Sequence, residues 1–267
     1  MYINENAAIH TNKIILVPYC KHHVLRYHEW MQDADVRAAT ASNLLSLPDE
    51  YAMQRSWRID SDKLTFIACE SKERKPDQPS LEHEIATMVG DVNLFILANE
   101  EETGDVSLVG EFELMIGRKE NQHRGLGRAM IVTFLFYVLT HQEKILEEYF
   151  STPRNTSPKQ SFTYLRVKVG GTNHRSIKLF ESLGFEKTEP SPNFFDEFEM
   201  RRKALGAREV EEMMASAEVS GYTEVQYTDG GKGEVLLVGS VENADTGSAS
   251  SNDVGSSDRP AVDTVQD

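Results

Sequence analysis

Eight consecutive residues near the middle of the chain combine two glycines and two arginines in an order that suits anion binding. They are Gln122-His123-Arg124-Gly125-Leu126-Gly127-Arg128-Ala129, between a strand-like segment and a strongly apolar helical one. A helix N-terminus offers backbone N–H groups without partners and the positive end of the helix dipole. Glycine lets an anion approach closely because it carries no Cβ. The segment therefore predicts a phosphate or pyrophosphate site.

The alternative interpretation of this segment is an ordinary glycine-rich turn before a helix. Its spacing matches neither the phosphate loop of nucleoside triphosphatases nor the dinucleotide-binding fingerprint, whose first glycine is replaced here by Gln122. The surrounding elements and any second motif must therefore decide between the two.

Hydrophobic patterning predicts the elements that position this turn. Strand-like runs occur at 13–18, 64–69, 88–96, 111–116, 163–169 and 194–200. Helical spacing occurs at 21–32, after the N-cap candidate Ser46, at about 126–141 and at 173–182. The runs at 88–96 and 111–116 are predicted to form a hairpin. The resulting order is β-α-α-β-β-β-α-β-α-β.

The length of 267 residues and the charge distribution predict one domain followed by an acidic tail. The domain is expected over 1–203, with polar insertions at about 71–84 and 142–161, and the tail over 204–267, with disorder after about 243. The tail has 13 acidic and three basic residues, so it carries most of the net charge of −15. No basic stripe is visible, which disfavours nucleic acid as a partner.

The cysteine content and the apolar runs indicate the cellular context. Cys20 and Cys69 are the only cysteines, so we expect neither a disulfide framework nor a metal site. The first residues lack the features of a secretory signal, and the longest apolar run, 130–139, is too short to span a bilayer. We therefore expect a cytoplasmic protein, with the nucleus as the alternative, and no membrane partner.

A second motif follows about 50 residues after the glycine turn. It is Asn173-x-x-Ser176-x-x-x-Phe180-x-x-Leu183-Gly184-Phe185. With the first motif and the element order, it resembles the GNAT superfamily of acetyl-coenzyme A-dependent N-acetyltransferases. Segments 27–31, 50–57, 62–67 and 89–95 are similar to the N-acetyltransferase nine-like subfamily, a relative of the ribosomal-protein alanine N-acetyltransferases. The resemblance implies an α/β fold with a six- or seven-stranded mixed sheet flanked by helices.

The resemblance also implies that acetyl-CoA is the cosubstrate and that the motif residues bind it. The backbone of Leu114, Met115 and Ile116 is expected to pair with the pantetheine arm, where two strands separate. The amides of Arg124, Gly125, Gly127, Arg128 and Ala129 are expected to hold the pyrophosphate, and Gln122 and Leu126 complete this group. Asn173 and Ser176 are also expected at the cofactor, although a plain N-cap is the alternative for Asn173.

Glu111 and Glu113 are the candidates for the catalytic base. Period-two alternation places both on one face of their strand, and a carboxylate at the position of Glu111 is the base in several GNATs. Glu111 is therefore the first choice and Glu113 the second; a solvent-facing glutamate pair is the alternative. Phe180 stands where many GNATs have a tyrosine acid and cannot donate a proton. Either Ser176 or a water replaces it, or the thiolate leaves unprotonated.

The resemblance thus predicts acetyl transfer to a protein amine. An N-terminal α-amine is the favoured acceptor, and tubulin is a possible substrate because subfamily members are linked to it. Two alternatives stay open: a weakly catalytic or non-catalytic module that binds a protein or microtubules, and a small-molecule amine acetyltransferase. The sequence leaves the oligomeric state open.

Overall fold

The computed structural model describes residues 1–73, 80–100, 104, 106–151, 161–203 and 205–228, which form a mixed nine-stranded sheet flanked by helices. The strands are β1 Ala7–His10, β2 Ile14–Pro18, β3 Lys63–Glu70, β4 Met88–Glu100, β5 Val106–Ile116, β6 Tyr164–Gly170, β7 Glu186–Lys187, β8 Glu197–Lys203 and β9 Thr223–Gln226. The helices are α1 Val24–Met31, α2 Ala34–Ala39, α3 Leu47–Ile59, α4 Ser80–Thr87, α5 Leu126–Thr140, α6 Gln142–Phe150, α7 His174–Ser182 and α8 Ala207–Ser216. The strand order is β7-β8-β6-β5-β4-β3-β2-β1-β9.

The centre of the sheet is the long hairpin of β4 and β5, which confirms the predicted one. Its pairing runs from Gly90 opposite Ile116 to Glu100 opposite Val106. β3 adds to β4 in antiparallel fashion, whereas β6 lies parallel to β5. In the described part of the sheet, this β5–β6 contact is the only parallel pair.

Helix α5 packs across one face of the sheet and carries the larger part of the core. Ten of its 15 residues are buried, which explains why it is apolar around its whole circumference. The Phe134 ring lies edge-on to Phe66 of β3 and Phe112 of β5, with centroids 5.9 and 5.6 Å apart. This packing fixes the start of α5 next to the end of β5.

The opposite face is covered by α1 and α3. Tyr27 and Trp30 of α1 are buried there with Tyr19 and Met115, and Tyr51 and Trp57 of α3 pack against the same cluster. These aromatic residues therefore contribute to a second core.

The sheet has more strands than the six or seven predicted. The strands without a sequence prediction are short: β1 and β9 have four residues each and β7 has two. Alternation over two to four residues gives no usable periodic signal, so only pairing with neighbours reveals such strands. The last predicted strand also differs, because β8 begins at Glu197 and Phe194 lies in the loop before it.

Two segments expected outside the core contribute to it. The predicted insertion at 142–161 begins with α6, whose Ile145, Leu146 and Tyr149 are buried. Helix α4 likewise starts within the predicted insertion at 71–84. The remainders of these segments, 74–79 and 152–160, lie outside the described residues.

The fold also continues past the expected boundary at 203. Helix α8 packs on α5 through buried Val210 and Met214, and β9 pairs with β1 at the edge of the sheet. The expected disorder after 243 concerns residues outside the described part. None of the described helices combines the length and the apolar character needed to cross a membrane.

Candidate functional site

Strands β5 and β6 separate in the middle of the sheet. They pair only where residues 109–111 of β5 meet residues 164–166 of β6. Beyond Glu111, β5 continues to Ile116 against β4, and β6 continues to Gly170 against β8. The β6-facing edge of Leu114, Met115 and Ile116 therefore has no strand partner within the described sheet. Such an edge can receive an extended ligand through main-chain hydrogen bonds.

The glycine turn opens α5 directly beside this edge. Gly125 is the N-cap residue with φ +76°, and His123 also lies in the left-handed region with φ +60°. A Cβ added to Gly127 would lie 3.6 Å from Leu114 Cδ1 and 4.0 Å from Ile116 Cγ1. The start of α5 and the unpaired part of β5 consequently border one opening.

The first turn of α5 has amides available for an anion. In any helix the first four N–H groups, here those of residues 125–128, have no partner within the helix. No described side chain caps this helix end. Ala129 is an exception among the predicted donors, because its N–H donates to the Gly125 carbonyl at 3.0 Å. Its amide closes the first helical hydrogen bond and is not a free donor.

Helix α7 provides the third side of the opening. Asn173 is its N-cap, with Oδ1 accepting the backbone N–H of Ser176 at 3.1 Å. Arg175 Nη1 donates to Gln122 Oε1 at 2.9 Å, which joins the first turn of α7 to the glycine turn. Sequence reasoning missed Arg175. The available signal was a cation at a helix N-terminus, where the dipole disfavours positive charge.

The two arginines of the glycine turn differ in whether a carboxylate neutralises their charge. The exposed Arg124 pairs with the carboxylate of Glu70 and also contacts Asn121. Arg128 contacts the hydroxyl of Ser182 and has no carboxylate partner among the described residues. Arg128 therefore has the less compensated charge near the opening.

Glu111, the first choice for the base, is held in a buried ion-pair network. Its Oε2 lies 2.5 Å from Arg166 Nε and 3.6 Å from Lys168 Nζ. Arg166 is itself buried and lies 3.7 Å from Glu199. A carboxylate whose partner is a buried guanidinium cannot leave it without leaving an unpaired buried charge. The arrangement thus favours a structural role for Glu111.

Glu113 has the environment that a base requires. It is exposed to solvent, and the described residues include no salt-bridge partner for it. Desolvation by the surrounding protein and the nearby charges of Glu111 and Asp91 raise the pKa of Glu113 to about 7, against the opposing charge of Lys168. A carboxyl group that titrates near 7 is both substantially ionised and basic enough to take a proton at neutral pH.

A group of buried polar residues beside Glu113 was not predicted from the sequence. Asn93 lies directly opposite Glu113 on β4, and Asp91 lies opposite Met115. Asp91 and Asn93 are 2% and 4% exposed, and Asn93 Nδ2 donates to Asp91 Oδ2 at 2.7 Å. Desolvation raises the pKa of Asp91 to about 7. Their position in an otherwise apolar strand was the only signal available.

Phe180 provides no acid at the opening. It is buried in the main core and packs edge-on against Phe185, with ring centroids 5.4 Å apart. The Phe185 N–H donates to the Phe180 carbonyl across Gly184, which has φ +78°. The second motif therefore acts here as a helix end that packs on the core.

Comparison with protein families agrees with this arrangement. Residues 13–186 match the family model described as the acetyltransferase (GNAT) domain. This covers more than half of the chain, and the chain belongs to the GNAT family of acetyltransferases. It is accordingly an acetyl-CoA-dependent N-acetyltransferase.

Two relatives are similar over most of their length. An N-acetyltransferase 9-like protein of Schizosaccharomyces pombe is 36% identical over 224 residues, 75% of this chain and 97% of the relative. The human protein named alpha/beta-tubulin-N-acetyltransferase 9 is 35% identical over 231 residues, 86% of this chain and 98% of the relative.

A solved structure shows the same fold. Spermidine N-acetyltransferase of Vibrio cholerae, crystallised with CoA and spermine, aligns with a TM-score of 0.50 at 14% identity. The alignment covers 75% of this chain and 97% of that one. At this identity, the likeness establishes the fold alone.

Proposed function

We propose that this enzyme acetylates the N-terminal α-amines of proteins, with Glu113 as the base. The observation that carries the proposal is the position of an exposed carboxylate with a pKa of about 7 on the unpaired part of β5. The same edge borders the uncapped N-terminus of α5. An amine acceptor, a thioester donor and a proton acceptor can therefore meet at one place.

The cosubstrate fits the opening in two respects. The β6-facing edge of Leu114–Ile116 suits the amide groups of the pantetheine arm, and the amides of residues 125–128 suit the pyrophosphate. Arg128 and Arg175 can add positive charge at the same end. Acetyl-CoA supplies the acetyl group as a thioester, and the residues of the chain orient the acceptor and handle its proton.

The pKa of Glu113 favours an α-amine over a lysine side chain. Protein α-amines titrate at about 7.7–8.0 and lysine side chains at about 10.4. Transfer of a proton to a group with a pKa near 7 is therefore uphill by roughly 1 kcal/mol from an α-ammonium and by roughly 5 kcal/mol from a lysine ammonium. The α-amine is the acceptor that this base can serve at neutral pH without further help.

The hairpin of β7 and β8 supports a protein acceptor. Its loop exposes Phe194 by 97% and Phe195 by 77%. The hairpin borders the site, because β8 pairs with β6, the strand that separates from β5 there. Exposed aromatic pairs are typical of protein contacts. Together with the name of the human relative, this surface makes tubulin the first substrate to test.

In the proposed reaction, Glu113 takes a proton from the α-ammonium and leaves a neutral amine. The nitrogen forms a bond to the thioester carbonyl carbon and becomes positively charged, and the carbon–sulfur bond breaks as the thiolate of CoA leaves. The nitrogen then gives up its second proton, which passes to the thiolate and leaves a neutral amide. Because Phe180 has no hydroxyl, protonation of the thiolate falls to water or to the Ser176 hydroxyl.

An acetyl-transfer assay on three peptide sets tests the proposal. The first set has free N-termini, including those of α- and β-tubulin; the second has blocked N-termini and internal lysines; the third is small polyamines. We expect turnover in the first set only. Turnover confined to lysines or polyamines would refute the α-amine assignment, and binding without turnover would favour a protein-binding module.

A further inference from the structure

Four buried side chains, Tyr19, Glu50, Asp91 and Asn93, form what we call the acceptor cluster between the sheet and the helices α1 and α3. Each is at most 5% exposed. Burial and the charges of Glu50 and Asp91 raise the pKa of the Tyr19 hydroxyl, which places these three groups within electrostatic reach of one another. The cluster becomes negative when its carboxyls ionise.

The cluster has hydrogen-bonding atoms that the described protein leaves without partners. These atoms are Asp91 Oδ1, Asn93 Oδ1, Glu50 Oε2 and Tyr19 Oη. Buried polar atoms normally have a partner, because an unpaired one costs about 1–3 kcal/mol. When the two carboxyls are ionised, the oxygens of Asp91, Asn93 and Glu50 can accept hydrogen bonds but cannot donate them. The missing partner is therefore a donor.

The described residues also leave the negative charge of the cluster largely uncompensated. The nearest cationic candidate is His28, whose Nδ1 lies 3.7 Å from Glu50 Oε1 and makes no hydrogen bond. No lysine or arginine among the described residues forms an ion pair with Asp91, whose only side-chain partner is Asn93. A ligand that carries positive charge and several N–H donors suits this cluster.

The strand register places Asp91 and Asn93 beside Glu113 and Met115 on one face of the sheet. Asn93 is directly opposite Glu113, and Asp91 is directly opposite Met115. Opposite residues in an antiparallel pair have Cβ atoms about 4.5–5.5 Å apart. The exposed Glu113 and the buried Asn93 are therefore neighbours on the same face of the sheet.

We infer that Asp91 and Asn93 are positioning residues that bind the acceptor as its ammonium ion, before Glu113 removes a proton. This inference rests on the part of the proposed function that makes the acceptor an amine. It holds equally for an α-amine and for a lysine side chain. Acetylation turns the ammonium into a neutral amide with one N–H. The product consequently loses its charge contact with the cluster, which favours its release.

Binding of two matched peptides separates this role from a structural one. The two probes are a peptide that the enzyme acetylates in the assay above and the same peptide with its N-terminus already acetylated. Calorimetry in the presence of CoA measures the affinity of the enzyme for each. We expect the unmodified enzyme to bind the free-amine peptide at least tenfold more tightly. In Asp91→Asn this preference should fall to about twofold or less, with the affinity for the acetylated twin unchanged.

Thermal stability and pH provide independent readouts. Asp91→Asn removes a buried carboxyl, so its melting temperature should not fall, whereas a purely structural carboxylate would lower it. The preference of the unmodified enzyme for the free amine should increase as pH rises through about 7, where Asp91 loses its proton, and the variant should show no such increase. Asp62→Asn makes the same chemical change at an exposed side chain just before β3 and should alter neither quantity.

Equal loss of affinity for both peptides, or a preserved preference in Asp91→Asn, would overturn the inference. Either result would leave the proposed function intact as long as the unmodified enzyme acetylates the peptide. Conversely, if only lysine peptides are acetylated, the α-amine proposal fails, and the same binding comparison on a lysine peptide still decides the role of the cluster.

Discussion

Glu111 and Glu113 are two residues apart on the same strand face, yet they have different surroundings. Glu111 is engaged by the buried Arg166, whereas Glu113 is exposed at the unpaired part of β5. The difference arises because β6, which supplies Arg166 and Lys168, runs beside β5 only as far as Glu111. One strand separation thus distinguishes a structural carboxylate from a candidate base.

Replacing Glu113 by Gln should lower kcat by about 10²–10⁴-fold, the usual contribution of a positioned base. The pKa of Glu113 is raised, so its basic form is populated as pH rises through about 7. The kcat/KM of the unmodified enzyme should therefore rise as pH passes about 7, whereas in Glu113→Gln the rise should follow only the acceptor α-amine, at about 7.7–8.0. Initial rates from pH 5.5 to 9 measure both effects.

Glu111→Gln is the matched comparison for Glu113→Gln, and it should lower the free energy of unfolding. It leaves Arg166 buried with weaker compensation, and breaking a buried ion pair typically costs 3–5 kcal/mol. Chemical denaturation should show this loss, while Glu113→Gln should unfold like the unmodified protein. If Glu111→Gln is fully stable but inactive, the assignment of the two roles must be exchanged.

Gly127→Ala should weaken acetyl-CoA binding without harming the fold. An added Cβ would meet only Leu114 and Ile116 at ordinary contact distances, and alanine is the better helix former by about 1 kcal/mol. The methyl group would nevertheless stand where an anion approaches the amides of α5. We expect the melting temperature without ligand to hold or rise, and the stabilisation by acetyl-CoA to shrink. A full ligand-induced shift in the variant would place the pyrophosphate elsewhere.

At the scale of elements, the segment 205–228 acts as a strap that covers α5 and the sheet edge. Helix α8 buries Val210 and Met214, and β9 pairs all four of its residues with β1. Beyond β9, the Tyr227 hydroxyl donates a hydrogen bond to the Glu84 carboxylate at 3.0 Å. The same carboxylate also contacts His22 and His23. The strap thereby joins α8 and β9 to α4 and the region before α1.

Ending the chain after residue 203 should destabilise the protein strongly, whereas ending it after residue 228 should not. The first truncation exposes the side of α5 under α8 and leaves β1 as an open edge, at a cost of several kcal/mol from buried apolar area alone. The melting temperatures of the two truncations, compared with the full chain, measure the contribution of the strap. Equal melting temperatures for both would show that 205–228 is dispensable.

At the scale of the whole molecule, the site lies where three sequence-distant parts of the chain meet. The β4–β5 hairpin supplies Asp91, Asn93 and Glu113, α5 supplies unpaired amides, and α7 supplies Arg175. The loop before β8 adds the exposed Phe194 and Phe195 on the outside. This arrangement is consistent with the proposed protein acceptor.

Replacing Phe194 and Phe195 together by Ser should reduce acetylation of an intact protein acceptor by roughly tenfold, the effect of losing a small contact patch. Both rings are exposed, so the melting temperature should stay the same. A short peptide acceptor that does not contact the loop should be acetylated at the unmodified rate. Parallel assays on tubulin and on this peptide test the prediction, and an equal loss for both substrates would argue against a docking role.

Local sequence was sufficient to predict the elements with long periodic patterns and special capping residues. The helix from Leu126, the helix that starts at Asn173 and the β4–β5 hairpin follow from nearest neighbours along the chain, and the structure confirms them. The motifs at 122–127 and 173–185 were likewise sufficient to indicate the family. Short strands such as β7 and β9 were missed because they are defined by their partners.

The roles within the site depended on tertiary structure. In the sequence, Glu111 and Glu113 are equivalent members of one alternating strand, and Asp91 and Asn93 are two polar residues in another. Only the packing decides that one glutamate faces a buried arginine, that the other faces solvent, and that the two polar residues are buried without enough partners. Ion pairing and desolvation depend on distances between atoms far apart in the chain, and such distances exist only once the chain has folded.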